Sequence, residues 1–334
     1  MAAKIEHDKF PSGKNSYSLP YMKKVRGVLK PETLFGAYEK NDGTNAGLRY
    51  SRDDGEVFFA KRGSVLKPGE TFFRLEHEKI VDLYRDAIIA LGEKLVKLYP
   101  DMKTFTLFGE MYGSGICKNV TYFTDPNKIG YIAYDLHVIN AHDGDNETGG
   151  AWIPYDTYSP WLDELNIPYI PCMHRGTLSE MLNLNPKFHS HIALKNGVSV
   201  EDNEGNYAEG YVIKPLTDIR IAGNQKIMIK LKHGESGEKK RAVAKEKMDN
   251  PGDIHPIQLY ITESRLSNVV TKMGNLNKKM MGRVMGEFSK DILKDYLEDL
   301  EIQPSKEELK NAKKAMGQAA FEVVDTYFRE NVSS

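Results

Sequence analysis

Apolar positions along this chain recur at two periods, and the period changes once, in the last third. The first thirty-two residues are polar and punctuated by Pro and Gly, which predicts an irregular lead-in. Short runs with strand character follow at Thr33–Lys40, Ala46–Tyr50 and Glu56–Lys61, separated by Gly and Asp turns. Over Phe73–Tyr99 the spacing becomes helical: Ile80, Tyr84, Ile88, Leu91, Leu95 and Leu98 form one stripe that Pro100 ends. Strand patterns return at Thr104–Phe108 and Tyr131–Asn140, and His142–Gly150 reads as a surface excursion. Short helices are expected at Trp161–Leu165 and Leu178–Leu184, then strands at Tyr207–Lys214 and Lys226–Lys232.

From Gly234 to Asp253 large apolar residues almost vanish, which marks a linker or loop. Beyond it the pattern is helical. Ile257–Met273 and Gly282–Leu300 carry apolar stripes, and Ser305 with Glu308 forms a capping box before a last helix. That helix is expected to bury Ala312, Met316, Ala319, Val323 and Tyr327. The chain is therefore read as α+β, with a body over 1–235, a linker over 236–253 and a small all-α domain over 254–334.

Its 334 residues, 40% hydrophobic and 28% charged, are enough for two globular cores. No apolar run approaches the ~20 residues of a membrane span, so no membrane association is expected. The first fourteen residues lack an apolar core, so a signal peptide is not expected. Two cysteines, Cys117 and Cys172, make no disulfide framework and suit a reducing cytoplasm. Net charge is −1, yet cations cluster at Lys23, Lys24, Arg26 and Lys30 and again at Lys239, Lys240, Arg241, Lys245 and Lys247. Each cluster fits either a phosphate-facing surface or a solvated face. A monomer is the default expectation.

Five stretches have the composition of a nucleotide and phosphate site, each beside an expected strand. They are Glu39-Lys40-Asn41-Asp42-Gly43, Ala60-Lys61-Arg62-Gly63, Leu107-Phe108-Gly109-Glu110, Ala208-Glu209-Gly210-Tyr211-Val212-Ile213-Lys214 and Ile229-Lys230-Leu231-Lys232. Tyr134-Asp135 sits inside an apolar strand. Lys214, Lys230 and Lys232 lie where a structural lysine is out of place, and alternation puts Lys230 and Lys232 on one face. Lysines with carboxylates suit phosphoryl chemistry assisted by a divalent metal. Lys40 is the candidate nucleophile, but at an ordinary pKa of about 10.4 it must first lose a proton. Lys230, Lys232, Arg62 and a metal would promote that loss, whereas Glu39 and Asp42 would oppose it unless a ligand or metal occupied them. A P-loop, a dinucleotide fingerprint, zinc-ligand spacing and a nucleophile elbow are all missing.

In this order the stretches resemble the collinear motifs of the covalent nucleotidyltransferases: ATP-dependent DNA ligases, RNA ligases and mRNA capping enzymes. The wording of Glu39-Lys40…Gly43-Thr44-Asn45, of Phe108-Gly109-Glu110…Gly115-Ile116…Lys118-Asn119-Val120 and of Ala208-Glu209-Gly210-Tyr211-Val212 is similar to the RNA ligase 2 family, which includes phage enzymes and trypanosome editing ligases. The resemblance continues through Arg265, Asn268-Val269-Val270, Lys272, Gly282-Arg283-Val284-Met285-Gly286 and Asp291-Ile292-Leu293.

It implies an ATP-grasp-like nucleotidyltransferase body of antiparallel sheets with flanking helices, and sealing of nicks in double-stranded RNA with ATP and Mg²⁺ or Mn²⁺. By the same resemblance Lys40 takes AMP from ATP, Glu39 reads the adenine edge, Tyr134 stacks on the base, and Arg62 and Glu110 hold ribose and phosphate. Asn45 and Lys214 join the nucleotide site; Lys230 and Lys232 contact the α-phosphate. Asp135, Glu209 and Glu110 place the metal, and Asp42, Arg265, Asp291 and Asp295 face the RNA. A cytoplasmic location follows, the host's if the gene is a phage's. The chain departs from the family at Asp42, where close members carry His, at Tyr38 in place of Arg, and at Asp295 in place of Glu. A DNA ligase and an inactive nucleic-acid-binding relative are the alternatives. Helical periodicity after residue 255, where a DNA ligase or capping enzyme has a barrel, and an intact Lys40 argue against them.

Overall fold

Two antiparallel sheets form where the strand patterns predict them, in a computed structural model that describes residues 10–62, 64–73, 75–117, 119–140, 150–199, 205–233, 255–261, 265–266, 269–270, 273, 276–300 and 304–332. The expected linker 236–253, Lys118 and most of the 142–150 excursion lie outside these residues. The chain divides into two compact units, one reaching to Gly13 and running from Gly27 to Lys232, the other taking Lys14–Arg26 and the residues from His233 onward. The expected division 1–235 did not foresee that residues 14–26 group with the helical part. Nor is the lead-in wholly irregular: Leu19–Val28 is a helix, with Tyr21, Met22 and Val25 buried at helical spacing.

In the first unit one sheet runs in the order Ile229–Lys232, Gly210–Pro215, Phe35–Glu39, Cys172–Gly176. The other runs Ala151–Trp152, Ile129–Asn140, Met102–Gly113, Thr44–Ser51, Glu56–Lys61, Ser64–Val65. The chain passes from the first sheet to the second within Lys40–Gly43. Gly43 is required there, because a Cβ on it would stand 2.4 Å from the Met111 carbonyl oxygen.

The helix His77–Leu98 buries Ile80, Val81, Ile88, Leu91 and Leu95 in a core shared with Leu48, Phe59, Phe105, Leu107 and Leu136 of the second sheet. It begins four residues later than its periodicity suggests, because Thr71–Phe72 and Leu75–Glu76 pair as a small hairpin. Tyr155–Glu164 is helical from well before Trp161 and carries Pro160 inside it. The expected strand Lys226–Lys232 is two strands, Gln225–Lys226 and Ile229–Lys232, and these belong to different sheets.

In the second unit Met281–Asp299 and Lys306–Asn331 are the long helices, the latter opened by the expected Ser305/Glu308 capping box. Their core holds Val284, Phe288, Ile292, Ala312, Met316 and Val324. Pro256–Tyr260 is a short 3₁₀ turn, not the start of a continuous helix to Met273. The last helix buries Ala312, Met316, Ala320, Val324 and Phe328; Ala319, Val323 and Tyr327 lie only at the margin. A strict four-residue spacing advances roughly 40° per step around the helix, so the contact line winds across it instead of running straight.

Candidate active site

Lys40 sits at the end of strand Phe35–Glu39, its amide donating to the Gly210 carbonyl at 2.7 Å, so its position is fixed by sheet pairing. Its side chain forms a very short ion pair with Glu209, whose other oxygen lies 2.5 Å from the Lys232 ammonium. Strand alternation puts Lys230 and Lys232 on the opposite face from the fully buried Ile229 and Leu231, as expected. A cavity of about 310 Å³ opens beside Lys40. Of the residues singled out in the sequence, it is lined by Glu39, Asn45, Arg62, Glu110, Tyr134, Asp135, Lys214 and Lys230. Arg265, Asp291 and Asp295 are in the helical unit. There the Arg265 guanidinium holds Asp291 at 2.8 Å and Asp295 at 2.5 Å, an internal network with helix Met281–Asp299.

The electrostatics of Lys40 run against expectation. Burial pushes its ammonium pKa down, but Glu209, then Glu110 and Asp42, outweigh that and hold it above the ordinary lysine value. Burial alone would also raise the Glu209 carboxyl, yet Lys40 and Lys232 keep it far below the carboxylate range. The pair therefore rests fully ionised, and the neighbouring lysines do not deprotonate Lys40 by themselves. Excess negative charge nearby is visible at Glu110, whose pKa is pushed up to about 8 by burial and by Glu209 and Asp42, against the pull of Lys40. Asp42 is likewise raised by burial and by Glu209, and its Oδ2 is buried with no hydrogen-bond partner.

Glu39 is engaged elsewhere, though by protein and not by ligand or metal. Its carboxylate is 1% exposed and accepts from the Ser190 hydroxyl at 2.6 Å and from the His191 and Ile192 amides at 2.8 and 3.1 Å. Burial nonetheless pushes its pKa up to about 7. The protein thus holds the side chain in place at the wall of the cavity.

Tyr134 and Asp135 both reach the cavity because the ladder slips there: Phe108 pairs with Asp135 but Gly109 with Ala133, leaving Tyr134 as the extra residue of a bulge. The Tyr134 hydroxyl accepts from Asn45, and Phe10 meets its ring edge-on at 4.8 Å. Asp135, expected beside a metal, is instead paired through one oxygen with Lys214 at 2.9 Å and Lys226 at 3.2 Å.

Among the described residues no three carboxylate, imidazole or thiol groups converge as a metal cage. Glu110 and Glu209 fit the chemistry of Mg²⁺, which takes one or two carboxylates and completes its shell with water and phosphate oxygens. The orphaned Asp42 oxygen and the raised Glu110 carboxyl are what an added cation would relieve.

Residues 10–13 were not singled out in the sequence, yet they form one wall of the cavity, and Ser12 accepts from Arg62 at 3.0 Å. Ser190 and Lys226 were also missed. Ser190 is some 150 residues from the glutamate it holds, and no local pattern signals that contact.

The profile of the RNA ligase family matches residues 35–232, more than half of the chain, and the profile described as T4 RNA ligase 2 C-terminal matches residues 254–322. The mitochondrial RNA-editing ligase 2 of Trypanosoma brucei brucei is 24% identical over 336 residues, covering 82% of this chain and 79% of that protein. A Naegleria gruberi RNA ligase mutant without ligand aligns at 13% identity with a TM-score of 0.44, over 75% of this chain and 61% of that one. A lysine-to-alanine mutant of that ligase with ATP and Mn aligns at 13% identity and 0.44, over 75% of this chain and 62% of that one. The present chain thus spans about three fifths of the length of those solved chains.

Proposed function

This chain belongs to the RNA ligase family, and we propose that it joins the 3′-hydroxyl and 5′-phosphate ends of RNA with ATP, at nicks in duplex RNA. The observation that carries the reading is Lys40 itself, held between two sheets against Glu209 at a cavity lined by Arg62, Glu110 and Lys230. Lys40 Nζ attacks the α-phosphorus, a P–N bond forms and pyrophosphate leaves. AMP then passes to the RNA 5′-phosphate, and the 3′-hydroxyl displaces it as the phosphodiester forms.

The chain's own residues account for what those steps need. Glu209 holds and orients Lys40, whose proton is given up only once that ion pair is broken. Lys230 and Lys232 supply positive charge at the phosphate end, while Asn45 and Tyr134 line the base end. Glu110 and Glu209 would hold Mg²⁺, which would supply positive charge to the phosphate oxygens and offset the negative charge around Lys40. The match to the T4 RNA ligase 2 C-terminal profile supports the duplex-nick type over a DNA ligase. No described helix is long and apolar enough to cross a membrane. We further propose that the protein acts as a monomer in a cytoplasm.

Intact mass after incubation with ATP and Mg²⁺ tests the reading in wild type and Lys40→Ala. The expected result is an AMP adduct in wild type alone, discharged by nicked duplex RNA. Discharge by nicked DNA and not by RNA would assign a DNA ligase. Absence of any adduct, in folded protein not already adenylylated, would refute the nucleophile assignment.

A further inference from the structure

Lys226 is a buried cation that the scheme above leaves without a task. Its side chain is 12% exposed, 3.2 Å from Asp135 Oδ1 and 4.2 Å above the Trp152 ring. Lys214 bonds the same Asp135 oxygen at 2.9 Å, donates to the Tyr134 carbonyl at 2.8 Å and stands 4.4 Å over the Tyr38 ring. The second oxygen of Asp135 is buried without a hydrogen-bond partner. Asp218, a further acid near Lys226, is occupied by the Arg220 guanidinium at 2.6 Å.

One carboxylate thus serves two ammonium groups in a place where a charge is costly to bury. Stability does not explain this arrangement. Lys214 already neutralises Asp135, so the second ammonium adds a desolvation cost that a single ion pair does not require. What the second lysine changes is the freedom of the first. With Lys214 alone, Asp135 has a single counter-ion, and pulling it away would strand a buried carboxylate. With Lys226 in place Asp135 stays neutralised, and Lys214, which lines the cavity, can exchange its bond to Asp135 for one to a ligand.

We propose that Lys226 is a positioning residue that holds Asp135 so that Lys214 is released to bind the nucleotide. The proposal rests on the ATP-dependent reading above. Lys226 is not among the residues lining the cavity and is not paired with Lys40 or Glu209, so its influence falls on nucleotide affinity and not on P–N bond formation.

The test is single-turnover self-adenylylation over a range of ATP concentrations, with thermal unfolding of each variant as a folding control. Lys226→Met is expected to raise the half-saturating ATP concentration about tenfold, the worth of one charge-assisted hydrogen bond, and to leave the plateau rate within twofold. Lys226→Arg is expected to restore most of the affinity. Lys214→Met combined with Lys226→Met is expected to be no weaker than Lys214→Met alone, because the two act in series. Should Lys226→Met fail to fold, Lys226→Gln with the same cycle against Lys214→Met gives the same reading. A half-saturating concentration within twofold of wild type, or additive effects in the double variant, would overturn the proposal. A residue that merely packs against Trp152 would lower the unfolding midpoint and leave both kinetic values unchanged. An adduct in wild type with an unaltered Lys226→Met sinks this inference alone; no adduct in wild type sinks the ligase reading.

Discussion

Glu110 couples the charge balance at Lys40 to stability. Its folded pKa is pushed up to about 8 against an ordinary 4.5, chiefly by burial, with Glu209 and Asp42 adding to it and Lys40 and Lys230 opposing. A carboxyl that holds its proton more tightly when folded stabilises the fold fully below pH 4.5 and loses that contribution as pH rises through about 8. At 1.36 kcal/mol per unit, the displacement amounts to at most roughly 5 kcal/mol; coupling with Glu209 and Asp42 reduces it to about half. Glu110→Gln removes the titration and keeps the volume. Urea unfolding followed by the fluorescence of Trp152 and Trp161, both in the first unit, reports the effect without Mg²⁺. From pH 5 to 9 wild type is expected to lose about 2–4 kcal/mol relative to Glu110→Gln. At pH 8 and above, added Mg²⁺ restores stability to wild type and much less to the variant, by mass action on the ionised carboxyl. Parallel pH profiles for the two proteins would refute the reasoning, because Glu110 would then be ionised normally in the fold.

Two further outcomes follow from single contacts. Ser190→Ala removes the hydroxyl bond to Glu39 and the cap that accepts from the Ala193 amide at 3.1 Å; a loss of roughly 2–4 kcal/mol in urea unfolding is expected, and a loss below about 0.5 would show that Glu39 does not depend on it. Gly210→Ala places a Cβ 2.1 Å from the Leu231 carbonyl oxygen at a φ of +129°, so it is expected to cost at least ~3 kcal/mol and to lower self-adenylylation by disturbing Glu209 and Lys232; near-native stability would contradict the strand pairing described.

The elements themselves were legible because they depend on local period. The stripe in His77–Leu98, the alternation in Ile229–Lys232 and the Ser305 capping box are properties of neighbouring residues, and each is present in the fold. Lys40 as the candidate nucleophile was legible too, since its motif is contiguous, and the fold places it at the cavity. Element boundaries were less so: the Thr71–Glu76 hairpin and the winding stripe of the last helix depend on what packs opposite them.

The charge state of the site was not legible at all. The cations near Lys40 suggested a depressed pKa, but only the fold shows that Glu209 pairs with it directly while Glu110 and Asp42 add to its negative surroundings. The resemblance put Asp135 beside a metal; the fold also pairs it with two lysines, one from a hairpin ninety-one residues further along the chain. Coulomb energies depend on distance and burial, and both are set by which strands pair. The sequence determined which groups are present and which local elements carry them; the tertiary structure alone decided which charges meet, and so which of them are free to react.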